Sequence, residues 1–284
     1  MNACSYRLLQ LFKNILILNF IFQTTKKFKK NGLIHISTRI NMRFIPAIDI
    51  KDRLVAKPYG LQYLPYKSVI CPEPDPVKLA KVYKDKFGAK EIYIADLDSI
   101  ENGKQPNYDI YLNIKKNLNL NLRIDAGISD LKRAQEVLDS GATKLIIGTE
   151  TLRDINFVRD AVSTFGSNRV MVSLDLLGER VHGIIPEIKG ADPVSLAITF
   201  EKLGVSEILI LNLERASTGW GVNWRLIKDI VSAVSIPVMV GSGISGVKEI
   251  ELLKKIGVAC ITLSYTLHEG IIKPEDIKAL GLEP

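Results

Sequence analysis

Two aspartates, Asp49 and Asp175, each close a short run of apolar, β-branched residues, Phe44–Asp49 and Val170–Asp175. Two carboxyls placed at strand ends around one small space can act as acid and base on opposite sides of a single substrate. Aspartate also commonly caps a turn through backbone N–H groups, but its recurrence at the end of two matching runs favours catalysis. A second chemistry is suggested by Val240-Gly241-Ser242-Gly243-Ile244-Ser245, where glycines and serines leave a strand and precede a helix. Bare N–H groups and hydroxyls at such a place can receive a phosphate, Gly241, Ser242, Gly243 and Ile244 being the candidates. A further run ends in Ser264-Tyr265, whose hydroxyls could assist. Trp220 stands in a loop where an aromatic ring could stack on a substrate or simply cover the chain. The three histidines, His35, His182 and His268, show no metal-ligand spacing.

The elements that must position these residues alternate from Met42 onward. Short β-branched runs alternate with longer stretches of helical period, which predicts βα units around a parallel sheet. The expected strands are 44–49, 91–96, 122–125, 144–148, 170–175, 207–212, 237–240 and 260–264. The run Ile92 to Asp98 recurs as Ile208 to Glu214, Gly127-Ile128-Ser129 recurs as Gly243-Ile244-Ser245, and Gly141 to Thr149 aligns with Gly257 to Tyr265, all at an offset of 116. Asp49 to Val55 matches Asp175 to Val181 at 126. Four βα units repeated once predict a (β/α)8 TIM barrel built from two (β/α)4 halves. In such a barrel the site lies at the C-terminal strand ends, Asp49 and Asp175 come from opposite strands, and phosphate commonly sits after strands 7 and 8.

With Ile45-Pro46-Ala47-Ile48-Asp49, Ala95-Asp96-Leu97-Asp98, Ser173-Leu174-Asp175 and Gly243-Ile244-Ser245 in view, the region from Met42 to Gly270 resembles the histidine-biosynthesis barrels. These are the isomerase HisA and its sister cyclase HisF, and the chain looks more like an archaeal and bacterial group related to both, of unsettled function. The resemblance implies that Asp49 and Asp175 serve as general base and general acid in an Amadori rearrangement, with Asp96 supporting the site. It implies no metal and no organic cofactor. The pattern departs from the family at strand 3, where Asp125-Ala126-Gly127 replaces a glycine run that forms part of a second phosphate site, although Gly148-Thr149 on strand 4 keeps the family form. Ala216-Ser217-Thr218 replaces Asp-Gly-Thr after strand 6, and Leu263-Ser264-Tyr265 stands where glycine is usual. A carboxylate at position 125 repels a dianion, so a substrate with one phosphate fits better than one with a phosphate at each end.

The expected activity is therefore a cofactor-independent acid/base isomerase, or a lyase, acting on a small phosphorylated, sugar-like metabolite. The alternatives are an authentic isomerase of histidine biosynthesis and a non-catalytic barrel that binds a phosphometabolite. Composition agrees with a globular enzyme, at 46% hydrophobic and 24% charged residues. The net charge of +7 sits in residues 1–41, which hold seven basic and no acidic side chains, leaving the remainder formally neutral. That balance argues against nucleic acid as a partner and against membrane association of residues 42–284. Residues 1–41 read as a basic extension, disordered or absent from the mature protein, with 42–284 forming the barrel. Cys4, Cys71 and Cys260 are too few and scattered for a disulfide framework and read as reduced thiols in a cytoplasmic protein.

Overall fold

A computed structural model of the protein describes residues 29–30, 33–34, 42–59, 62–66 and 68–284. The expected extension lies outside the described residues apart from Lys29–Lys30 and Leu33–Ile34, which pair with each other. From Met42 the chain forms eight parallel strands: β1 Arg43–Lys51, β2 Glu91–Asp96, β3 Asn121–Asp125, β4 Lys144–Gly148, β5 Val170–Leu177, β6 Ile208–Asn212, β7 Val238–Gly241 and β8 Cys260–Leu263. Each pairs with its neighbour in sequence order, and β8 closes on β1 through Cys260 opposite Arg43 and Leu263 opposite Pro46. This is a closed (β/α)8 barrel. Its main helices are α1 Pro76–Phe87, α2 Tyr108–Leu118, α3 Leu131–Asp139, α4 Asn156–Phe165, α5 Pro193–Lys202, α6 Trp224–Ala233, α7 Val247–Lys255 and α8 Pro274–Ala279. Among the described residues no helix is long and apolar enough to cross a membrane.

The helix starts follow from local chemistry. Asp75 accepts from the N–H groups of Val77 and Lys78, Pro76 fills the first helical position where no donor is needed, and Asp192-Pro193 opens α5 with the same residues. Strand alternation then sorts the core into two layers. Phe44, Ile48 and Ile50 of β1 pack outward against the helices, whereas Ile45 and Ala47 join Tyr93, Ile146, Met171, Leu209 and Met239 inside the barrel. Continuing the inward series places Asp49 on β1, Asp125 on β3 and Asp175 on β5 toward the axis.

At the opposite, N-terminal end the interior is plugged by Arg123. Its guanidinium, fully buried, pairs with Glu91 (Nε to Oε1, 2.9 Å) and with Glu207, which also receives Lys144 and Arg43. Burial works against both charges. The bonds to Glu91 and Glu207 nevertheless raise the Arg123 pKa, and Arg123 and Lys144 hold the Glu207 carboxyl down at about 2. Arg123→Met should cost about 3 kcal/mol in urea unfolding at pH 7, because it leaves carboxylates buried without their central cation. The sign with pH is fixed by the lowered Glu207 value. The stabilisation is complete above about pH 4.5 and is lost as pH falls toward 2, and the Met variant should lose that part of the acid dependence.

Two strands run past their expected ends. β1 continues beyond Asp49 to Lys51, turns through Asp52 and Arg53 with φ of 48° and 65°, and pairs back through Leu54 and Val55. β5 likewise continues to Leu177 and pairs back through Arg180–Val181 after a two-residue turn. The segments that match at an offset of 126 thus fold alike. After strand 1 the chain adds an antiparallel ribbon, Leu54–Tyr59 with Gln62–Pro65. The cluster of prolines hides this ribbon from a pattern reading. Pro58 and Pro65 sit in its ladder, a position that proline tolerates on an edge.

Candidate active site at the C-terminal mouth of the barrel

A cleft opens at the C-terminal ends of the strands and is lined by Asp49, Asp125, Glu150 and Asp175 together with Ser242–Ile244 and Leu263–Thr266. Asp49 and Asp125 stand level across β2, each in register with Ala95. β1 and β5 lie four strands apart in an eight-stranded barrel, so Asp49 and Asp175 approach the cleft from opposite walls. No Lys, Arg or His is among the described residues that line it.

The two aspartates differ in their surroundings. The Asp49 carboxyl accepts no hydrogen bond from the described residues, and burial in the barrel wall pushes its pKa up to about 7. Asp175 accepts from Ser173 Oγ at 2.7 Å, Thr149 Oγ1 at 3.2 Å and the Glu150 N–H at 3.3 Å. Burial raises its pKa, while those three donors and the nearby His182 oppose the rise. Asp49 is thus poised to exchange a proton near neutral pH, and Asp175 is held in one orientation.

Asp125 is almost fully buried, and its Oδ1 accepts from the Gly127 N–H at 3.2 Å. Burial, with the charge of Asp175, lifts it to about 8. Glu150, just past the end of β4, is raised by burial and then by Asp175 and Asp125. A methyl group added to Gly148 would lie 3.1 Å from Asp125 Oδ2 and 3.3 Å from Asp175 Oδ2, so these carboxyls flank that glycine closely. The sequence reading missed Glu150 altogether. Its signal was a third acid within two residues of the Gly148-Thr149 pair.

Several other sequence candidates take different places. Asp96 does not line the cleft. Fully buried, its carboxylate accepts from Asn107 N–H at 2.7 Å, Asn107 Nδ2 at 3.0 Å, Ser99 N–H at 3.3 Å and the Tyr111 hydroxyl, which ties the β2 end to α2. Asp98 is buried and accepts from the Asp52 N–H at 2.7 Å and Lys104 Nζ at 3.1 Å. Gly148 and Thr149 are not lining residues, and Thr149 acts through its bonds to Asp175. Gly241 faces inward, where a Cβ would strike Thr262 Cγ2 at 2.5 Å and Leu211 Cδ2 at 2.7 Å, so its smallness serves packing. Trp220 is 76% exposed and is not part of the cleft wall.

The strand 7 and 8 end is partly as expected. Ser242, Gly243 and Ile244 line the cleft, with φ of 65° and 74° at the first two, and Ser264, Tyr265 and Thr266 line it at the start of the short helix Tyr265–His268. The start of α7 is not open to an anion, because Glu249 already accepts from the N–H groups of Ser245 and Val222 at 2.7 and 2.6 Å. Thr262 and Thr266, both nearly fully buried, are also in the lining, and their hydroxyls have no hydrogen-bond partner among the described residues. Neither was singled out in the sequence, since threonine is an ordinary strand residue.

The family model described as "Histidine biosynthesis protein" matches residues 43–273, which include all eight barrel strands. The chain belongs to the histidine biosynthesis protein family. Within the family it is 32% identical over 249 residues to an uncharacterized protein of Methanocaldococcus jannaschii, covering 83% of this chain and 97% of that one. It is 31% identical over 241 residues to the 1-(5-phosphoribosyl)-5-((5-phosphoribosylamino)methylideneamino)imidazole-4-carboxamide isomerase of Methanosphaera stadtmanae, covering 83% and 98%. A relative of the same name from Streptococcus thermophilus is 30% identical over 243 residues, covering 84% and 100%. Family members with named activities thus include isomerases.

Proposed function

We propose that the protein is an acid/base isomerase of a phosphorylated, sugar-like metabolite, with Asp49 as base, Asp175 as acid and the Ser242–Ile244 and Ser264–Thr266 turns holding one phosphate. The observation that carries this reading is the placement of Asp49 and Asp175 on opposite walls of one cleft that is also lined by the turns after strands 7 and 8. The isomerase names of relatives at about 30% identity support the reaction class.

In an aldose-to-ketose rearrangement of an aminosugar, the acid donates a proton to the ring oxygen and opens the ring to an iminium at C1. The base then takes the proton from C2, giving an enaminol; a proton is delivered to C1 while the C2 hydroxyl gives up its own, which leaves the ketone at C2 and replaces the proton spent on the ring oxygen. The net change is one hydrogen moved from C2 to C1 and one from the C2 hydroxyl to the former ring oxygen, which needs no redox partner. Asp49, at about 7, can hold either form at working pH, and the three donors on Asp175 fix the direction from which its proton arrives.

The relatives' names favour a second reading, an isomerase whose substrate carries two phosphoribosyl groups. Asp125 and Glu150 at the strand 3 and 4 end favour the first. Introducing the gene into a histidine auxotroph lacking that isomerase should not restore growth, whereas purified protein should turn over a monophosphorylated aminoaldose and Asp49→Asn should not. Restored growth would establish the second reading, and loss of neither activity in Asp49→Asn would reject both.

A further inference from the structure

Resting on the proposed function, we infer that the substrate carries a protonated amine at the end opposite its phosphate, and that Asp125 and Glu150 receive it. The argument begins with charge. Four carboxyl groups line the cleft, three of them grouped where β3, β4 and β5 end, and no basic side chain among the described residues lines the cleft with them. At the other end of the barrel the buried acid Glu207 is neutralised by cations of the chain itself, Arg123, Lys144 and Arg43. At the mouth that partner is missing among the lining residues, although the acids face a space large enough for a ligand.

The three acids are not equivalent. Asp175 spends its acceptor positions on Ser173, Thr149 and the Glu150 N–H. Asp125 accepts a single long bond, from Gly127, and the Glu150 side chain accepts none from the described residues. Two under-used carboxyls beside one satisfied carboxyl offer acceptors to a donor with several protons, which is what an ammonium group presents. A phosphate there would meet a group of acids and no basic side chain among the described lining residues. The described residues also include no His, Cys, Asp or Glu group arranged to hold a metal ion, so an organic cation fits the geometry better than a bare one.

An independent observation points to a polar ligand in the same cleft. Thr262 and Thr266 belong to its wall, beside Leu263–Tyr265, and their buried hydroxyls have no hydrogen-bond partner among the described residues. A buried hydroxyl without a partner is unfavourable, a deficit that an oxyanion reaching it would relieve. The cleft is therefore polarised along its length, with neutral donors at strands 7 and 8 and free carboxyls at strands 3 and 4. The ligand class that matches both ends is an aminated sugar phosphate, zwitterionic at neutral pH.

The test uses calorimetric titration with ω-aminoalkyl phosphates of three to six carbons against ω-hydroxyalkyl phosphates of equal length, each with and without competing inorganic phosphate. At one or more lengths the amine should bind at least tenfold more tightly than the alcohol. In Asp125→Asn/Glu150→Gln that preference should fall to less than twofold, while competition by inorganic phosphate persists. Equal affinity of amine and alcohol at every length, or a preference that survives in the double variant, overturns the inference. Competition by inorganic phosphate reports the strand 7 and 8 end separately: its absence with a retained amine preference would count against the proposed phosphate site rather than against the amine.

Discussion

Asp49→Asn should lower turnover by about 10³-fold, with the substrate concentration at half-saturation changed less than threefold. General acid/base groups contribute between about 10² and 10⁴. The substitution keeps shape and removes only the exchangeable proton, and since the side chain accepts no hydrogen bond from the described residues, no structural contact is lost. Wild-type kcat/KM should accordingly rise with pH through an apparent value near 7 on its acid limb, as the base loses its proton. Asp175→Asn should show a comparable loss, but with a lower melting temperature as well. An amide there cannot accept from Ser173, Thr149 and the Glu150 N–H together. Steady-state kinetics with calorimetric melting separates the two variants.

The second large effect is on stability and runs against intuition, since removing a carboxyl strengthens the protein. Asp125 goes from about 3.8 in an unfolded chain to about 8 in the fold. Below pH 3.8 both states hold the proton and the residue is neutral to stability. Between 3.8 and 8 the folded state binds more protons than the unfolded one, so stability attributable to Asp125 declines as pH rises, and the decline is complete above about pH 8. Asp125→Asn removes that decline. Urea unfolding at pH 4 should find variant and wild type alike, and at pH 8 should find the variant more stable by a few kcal/mol. Equal stability at pH 8 would show that the Asp125 carboxyl ionises freely in the mouth of the barrel.

Much of this arrangement could be read from the sequence, and the reasons differ by residue. Asp49, Asp125 and Asp175 lie on strands, where alternation fixes the face of every second side chain, so a residue in the inward series must point at the axis. Their convergence followed from the barrel, and the barrel from alternating βα periodicity. Glu150 lies one residue past Thr149, outside the ladder, where alternation assigns no direction, and it was missed. Asp96 is also at a strand end, but alternation from the inward-facing Tyr93 and Ala95 turns it outward, toward Asn107 and Tyr111. Gly241 shows that a glycine near a phosphate motif can be small for the sake of packing. The start of α7 looked open until Glu249, four residues along the chain from Ser245, proved to fill it. The ribbon after β1 was hidden because proline argues against strands in general, and only its edge position makes it compatible.

The central claim is that one cleft holds a phosphate at strands 7 and 8 and excludes it at strands 3 and 4, with Asp49 and Asp175 between. A crystal structure of the protein grown in phosphate or sulfate tests this most directly. The account predicts one anion, bonded to the Ser242–Ile244 turn and to the hydroxyls of Ser264 or Thr266, and no anion near Asp125 and Glu150. Anions at both ends would contradict it and favour a doubly phosphorylated substrate, and an anion at strands 3 and 4 alone would contradict it outright.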